Sequence, residues 1–272
     1  YTGPDRGDRL MGMPQGFRLD SRALARRVAQ EFRPGEVIAL GPGWPGLIPG
    51  QVPAGSGVLL LADSGVLGYH QPGAALSPRS HLVDSDGQGV ALLPGGAVLS
   101  VADVAAMSRG GHVDVAVVQA AKVSARGDFT HWTTSAAPGI FPPGAVADLA
   151  PAARRVIAMM PHTGGDGSPN IVAESPFPLD GLQCISLIVT DVAVVRVTGG
   201  GLMLAELAPG WRSDDVAALT GAPLTVAPDL REMTFQVSKL EAPNKVYPSG
   251  LAALHDLPDG ASVMIDGFAG PG

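Results

Sequence analysis

One cysteine, Cys184, is all that the 272 residues contain. An intrachain disulfide and every multi-cysteine metal site are thereby excluded, and the cytoplasm, a reducing compartment, is the expected location. No apolar run approaches the roughly eighteen residues that a membrane-spanning helix needs. A signal peptide is not expected either, because Asp5, Arg6, Asp8 and Arg9 stand where its apolar centre would lie, and the missing initiator Met suggests a trimmed start. Basic residues are scarce and form no run. Against 25 Asp and Glu, the 18 Lys and Arg leave a formal net charge of -7, which argues against nucleic-acid and anionic-membrane partners and for a small-molecule or protein partner. What is plentiful is turn chemistry, with 37 glycines and 25 prolines, and apolar residues at 46%. The glycines lack a collagen period and separate apolar runs, so the chain is expected to fold around a substantial core.

The periodicities alternate. Leu24, Val28 and Phe32, spaced by four behind a cap at Asp20 or Ser21, predict a helix over 21–32. A strand is expected at 36–40, followed by a sharp loop at Gly41-Pro42-Gly43-Trp44-Pro45-Gly46. Further strands are expected at 58–61, 89–93, 113–118, 155–160 and 224–226, and helices at 100–108, stopped by Gly110-Gly111, and at 213–219. Residues 192–197 and 202–207 flank three glycines and predict a hairpin. The fold class is α/β, an open mixed sheet with flanking helices. The expected organisation is an N-terminal arm over 1–20, a main domain over 21–230 and a charged, proline-bearing linker over 231–248. Residues 249–272 repeat the helix, strand and glycine-loop order of 21–46, and are expected to begin a second, similar domain that the chain leaves incomplete.

The sequence Leu59-Leu60-Leu61-Ala62-Asp63-Ser64-Gly65 concentrates the chemistry. A run without polar alternation suits a strand covered on both faces, and it ends on a carboxylate. In open α/β sheets ligands bind outside the carboxyl ends of strands, which makes Asp63 and Ser64 candidates for chemistry, although Asp-Ser-Gly is also an ordinary turn.

Several ordered motifs resemble the family I coenzyme A transferases, specifically the β half of the 3-oxoacid enzymes. They are Arg109-Gly110-Gly111-His112-Val113-Asp114, His162-Thr163 with Asp166-Gly167-Ser168-Pro169, Thr190-Asp191-Val192-Ala193-Val194, Gly200-Gly201-Leu202 and Trp132. From Asn244 onward the chain resembles the start of the α half, which implies a β-then-α fusion. The resemblance implies a glutamate nucleophile, in a Ser-Glu-Asn-Gly motif, that becomes acylated and then carries CoA as a thioester, with glycine-loop amides stabilising the oxyanions. Here the motif is Ala62-Asp63-Ser64-Gly65. The carboxylate is withdrawn by about 1.5 Å, one C–C bond, and a misplacement near 1 Å can cost on the order of a hundredfold in rate. By resemblance Gly41, Gly43, Gly65, Gly68 and Gly144 are the substrate- or oxyanion-binding positions; Pro142 and Pro143 replace potential amide donors. His131 stands where the family has Asn, and His70 has entered the segment after the motif.

Three functions follow as expectations. The first is CoA transfer with Asp63 as acyl acceptor and coenzyme A or acyl-CoA as substrate, no cofactor tightly bound and no metal. The second is hydrolysis, decarboxylation or C–C cleavage by Asp63 with His70 or His131 as general base, with Ser64 as a less supported nucleophile. The third is a non-catalytic scaffold. His70 and His131 also have plain structural readings, His112 and His162 match positions that read as structural, and Cys184 reads as buried filler. The remaining α half is expected on another polypeptide or an unrepresented segment, in a homo- or hetero-oligomer.

Overall fold

The structure, a computed structural model, describes residues 16–53, 55–71, 81–131 and 146–235. Helix α1 (Ser21–Ala29) leads into β1 (Val37–Leu40), a 3-10 helix (Trp44–Gly50), β2 (Leu59–Ala62), β3 (Val66–His70) and β4 (Ala91–Val98). Then come α2 (Val101–Arg109), β5 (Val115–Gln119), β6 (Lys122–Ser124), β7 (Phe129–Thr130), α3 (Val146–Ala152), β8 (Arg155–Met160) and β9 (Ile171–Val172). The described chain closes with β10 (Ile185–Thr190), β11 (Ala193–Thr198), β12 (Gly201–Leu207), α4 (Ser213–Leu219) and β13 (Leu224–Glu232).

Ten strands form one open mixed sheet in the order β13-β12-β11-β10-β8-β5-β1-β2-β3-β4, and β7-β6-β9 form a small second sheet. The middle five, β10, β8, β5, β1 and β2, are mutually parallel. Their sequences are almost wholly apolar because both faces are covered. Side chains alternate across β1 and β2: Ile38, Leu40, Leu60 and Ala62 join the large core with Leu24 and Val28 of α1. Ala39 and Leu61 face the other way, into a smaller cluster with Val104 of α2 and Leu149 of α3. Capping fixes where the helices begin. Asp20 accepts the Ala23 amide at 2.8 Å, and Ser100 and Asp103 form a reciprocal capping box. Gly111, at φ 76°, provides the left-handed stop after α2.

The expected α/β class and mixed sheet are present, and the strand at 155–160 and the helix at 213–219 have the expected bounds. Several local expectations need correction. Helix α1 ends at Ala29, short of Phe32, although Phe32 is buried in the same core. The glycine loop after β1 tightens into the 3-10 helix, with Pro45 in its first turn. Strand β3 was not expected, because Gly68 interrupts its apolar pattern; this glycine, at φ 66°, marks an irregularity in the β3–β4 register. Strand β13 continues through Arg231 and Glu232, the first two residues of the expected linker, and the Met233 amide donates to the Leu207 carbonyl. The expected arm up to residue 15, the linker from 236, the second domain at 249–272, Trp132, Pro142, Pro143 and Gly144 lie outside the described residues.

Candidate functional site

Because the five central strands are parallel, their carboxyl ends share one edge of the sheet. That edge collects Gly41–Gly46 after β1, Asp63 after β2, Gln119–Lys122 after β5, Pro161–Thr163 after β8 and Asp191 after β10. Asp63 lies in the turn joining β2 to the antiparallel β3, closed by the Gly65 amide on the Ala62 carbonyl at 3.0 Å. Only glycine fits at position 65, where φ is 106° and a Cβ would collide with the Leu99 carbonyl. The Asp63 amide donates back to Leu40 of β1 at 3.3 Å, so both backbone and turn hold the carboxylate at the strand end.

The half-buried Asp63 carboxylate accepts a hydrogen bond from the Ser85 hydroxyl. Burial pushes its pKa above the usual carboxylate value; Ser85 and the Ser64 amide act in the opposite direction, while the charges of Asp86 and Asp84 add to the rise. Ser64 itself is exposed, and among the described residues no histidine hydrogen-bonds to it, so the proposed triad-like use of Ser64 has no geometric support. Asp84, Ser85 and Asp86 escaped the sequence reading because they appear only as a polar stretch. Asp84 Oδ1 organises their turn by accepting the amides of Asp86 at 3.0 Å and Gln88 at 2.8 Å, and its Oδ2 is buried without a partner.

This turn also engages the glycine loop. The Gly43 amide donates to Asp86 Oδ1 at 2.8 Å, and a Cβ on Gly46 would collide with Asp86 Oδ2. The Asp86 carboxylate therefore lies against the glycine loop at both Gly43 and Gly46. The neighbouring Trp44 amide donates to Gln119 Oε1 at 2.7 Å. Gly41 donates to the Val117 carbonyl at 3.0 Å. The amides of Gly41, Gly43 and Gly65, implied by resemblance as oxyanion donors, are thus all committed within the chain. Gly68 serves instead as a close crossing point, its added Cβ only 3.0 Å from Gly96 Cα.

The two histidine candidates line two different hollows. His131 lines a cleft of about 730 Å³ together with Arg18, Gln119, Lys122, Thr163 and Asp191. Its backbone amide donates to Asp180 Oδ2 at 2.8 Å, and its Nδ1 is 3.6 Å from the same oxygen. Among the described residues, that Nδ1 and Asp180 Oδ1 are buried without a hydrogen-bond partner. His70 lines a different hollow, of about 470 Å³, with Pro49, Val52 and Tyr69. Among the described residues neither histidine hydrogen-bonds to or ion-pairs with Asp63. His70 ends β3, the strand that follows the Asp63 turn, whereas His131 follows β7 of the small sheet.

His162 behaves as a structural histidine. It is fully buried between the hydroxyls of Thr190 and Thr220, each at 3.0 Å, its amide donates to Asp191, and desolvation pushes its pKa down to about 4. Burial pushes the Cys184 thiol up to about 11, which leaves little thiolate at neutral pH. Among the described residues no group of three or more His, Cys, Asp or Glu could hold a metal ion, and no helix is long and apolar enough to cross a membrane.

Known proteins resemble this chain in sequence and in fold. Over 207 residues the chain is 37% identical to a subunit of the 3-oxoadipate CoA-transferase of Pseudomonas putida, covering 76% of this chain and 97% of the relative. Among solved structures, an acyl-CoA transferase of Escherichia coli O157:H7 superposes with a TM-score of 0.63 at 19% identity, over 83% of this chain and 47% of that one. The chain thus spans about half the length of that structure. The decarboxylase AibA/AibB superposes with a TM-score of 0.57 at 20% identity, over 81% of this chain and 90% of its own. At these identities the two structures establish the shared fold. The Coenzyme A transferase family model matches residues 22–219, which include Asp63, the glycine loop and the cleft residues other than Arg18, and with the Pseudomonas putida relative this establishes that the chain belongs to the coenzyme A transferase family.

Proposed function

We propose that this chain is the carboxylate-bearing, β-type half of an enzyme that transfers CoA between carboxylic acids, with Asp63 as the acyl acceptor. The observation carrying this reading is the position of Asp63: a half-buried carboxylate at the carboxyl end of a central parallel strand, beside the glycine loop. Attack of its oxygen on the carbonyl of an acyl-CoA forms a mixed anhydride and expels the CoA thiolate. The thiolate then attacks the Asp63 acyl carbon, releasing the first acid and leaving an enzyme thioester, and a second carboxylate reverses the sequence. The Pseudomonas putida relative, one subunit of a 3-oxoadipate CoA-transferase, supports a 3-oxoacyl substrate and a second, α-type subunit. Coenzyme A enters as part of the substrate, and the reading requires no tightly bound cofactor.

The upward displacement of the Asp63 pKa and the engaged glycine amides favour one alternative, in which Asp63 acts as an acid or base in hydrolysis or decarboxylation. Incubation with acyl-CoA followed by hydroxylamine or borohydride, with mass analysis, separates the two. A trapped adduct on Asp63, absent from Asp63→Ala, is the expected result. Release of free acid or carbon dioxide without any adduct and without an acceptor acid would transfer the assignment to the alternative.

A further inference from the structure

Lys122 opens β6 at the wall of the cleft that His131 lines. Its ammonium donates to the Pro169 carbonyl at 2.8 Å and approaches Asn170 Oδ1 at 3.4 Å, both neutral oxygens. Asn170 is nearly buried and is itself fixed by donating to the Pro161 carbonyl at 3.0 Å. Among the described residues no carboxylate lies within ion-pair distance of Lys122. Asp191 pairs with Arg18 at 2.6 Å, while Asp166 attracts Lys122 only from beyond ion-pair distance and turns its Oδ1 to the amide and hydroxyl of Ser168 at 2.9 and 2.6 Å. A half-buried cation costs free energy unless an anion meets it, and an ammonium carries three donors, of which the wall accepts two.

We propose that Lys122 anchors the carboxylate of an organic acid in this cleft, with His131, its ring set by the buried Asp180, lining the same subsite. This rests on the reading of the protein as an enzyme that exchanges CoA between acids, and it places the acid component. An anionic oxygen could also come from a phosphate of CoA. A single unpaired cation with Asp166 and Asp191 nearby suits a singly charged carboxylate better than a multiply charged phosphate.

Calorimetric titration of the full chain with adipate and, separately, with coenzyme A tests this. Adipate is expected to bind with an affinity reduced at least tenfold in Lys122→Met and largely restored in Lys122→Arg, while coenzyme A binds all three alike. Equal adipate affinity in wild type and Lys122→Met, or no adipate binding to either, overturns the proposal. So does a loss confined to coenzyme A, which would identify the anion as a phosphate. Thermal unfolding of both variants separates misfolding from loss of the anchor, and Lys122→Arg retains the charge if Lys122→Met fails to fold. Adipate binding by the wild-type chain reads the anchor directly, so the absence of an acyl adduct on Asp63 would count against the transferase reading without touching this one.

Discussion

Asp63 and Asp86 both lie beside the glycine loop, but one accepts a hydroxyl and the other a backbone amide. Ser85 holds the first, and the Gly43 amide is taken by the second. The family resemblance implies that the Gly43 amide serves the oxyanion that forms as Asp63 attacks, and on that reading the Asp86 carboxylate competes with the transition state for the same donor. Removing one oxyanion donor typically costs about 10²–10³ in rate. Asp86→Ala is therefore expected to accelerate acylation of Asp63, by up to about a hundredfold on that scale, as measured by the rate of adduct formation with acyl-CoA. An unchanged or slower rate would show that the contact is structural. The same substitution removes one of the charges that raise the Asp63 pKa, so the acidic limb of the rate profile is expected to move to lower pH. His162 sets another pH limit. Its folded pKa, about 4 against 6.5 for the free side chain, means that the unfolded chain binds the proton more readily between these values. Stability is thus intact above about pH 6.5 and declines as pH falls toward 4, by about 3 kcal/mol in all; urea unfolding at stepped pH should show this slope, and His162→Gln should flatten it. Asp63 was legible in the sequence because an apolar run stops at it. Asp86 was not, because its partner Gly43 is 43 residues away and nothing local marks the pair.

Helix α1 and the end of the sheet are joined by ions as well as by apolar packing. Glu206 of β12 is buried and receives Arg27 of α1 at 2.6 and 3.0 Å and Arg231 of β13 at 2.9 and 2.5 Å. Burial alone would raise the Glu206 pKa, but the bonds and charges of the two arginines outweigh it and hold it below the usual value. Glu206→Ala leaves Arg27 buried with only Glu31 as a partner, and is expected to destabilise the fold by about 3–5 kcal/mol in chemical unfolding. The sign of the pKa displacement places the associated acid sensitivity low: the pairing contributes fully above the unfolded glutamate value and is lost as pH falls through the depressed folded one. A destabilisation well below 1 kcal/mol would mean that the apolar contacts of α1 suffice. Elements were readable where punctuation was clear. The glycines at 199–201 announced the β11–β12 hairpin, and Gly111 announced the end of α2. Between Ile185 and Val197, however, two strands turn at Asp191 with neither glycine nor proline between them, so β10 merged into its neighbour and only β11 was expected.

At the scale of the molecule, the two outer strands of the ten-stranded sheet differ from the buried centre. No residue of strand β4 is buried, and the strand carries Pro94 and two glycines, features that suit an edge. Around it Leu59, Leu92, Val98 and Val101 are large apolar side chains left exposed. The Pseudomonas putida relative is named as one subunit of its enzyme, and on the proposed two-part reading the second chain meets this one near Asp63. The β3–β4 pair starts from the Asp63 turn, which makes the β4 edge the face with both apolar exposure and proximity to the site. With an α-type subunit supplied by co-expression, the expected result is a stable hetero-oligomer by sedimentation, with new protection from amide exchange along β4. Val98→Glu should weaken that assembly and lower turnover together, while leaving the melting temperature of the isolated chain nearly unchanged because the side chain is 59% exposed. Full acyl-CoA turnover by a monomer of this chain would remove the need for a second subunit, and protection confined to β13 would move the contact to the opposite edge of the sheet.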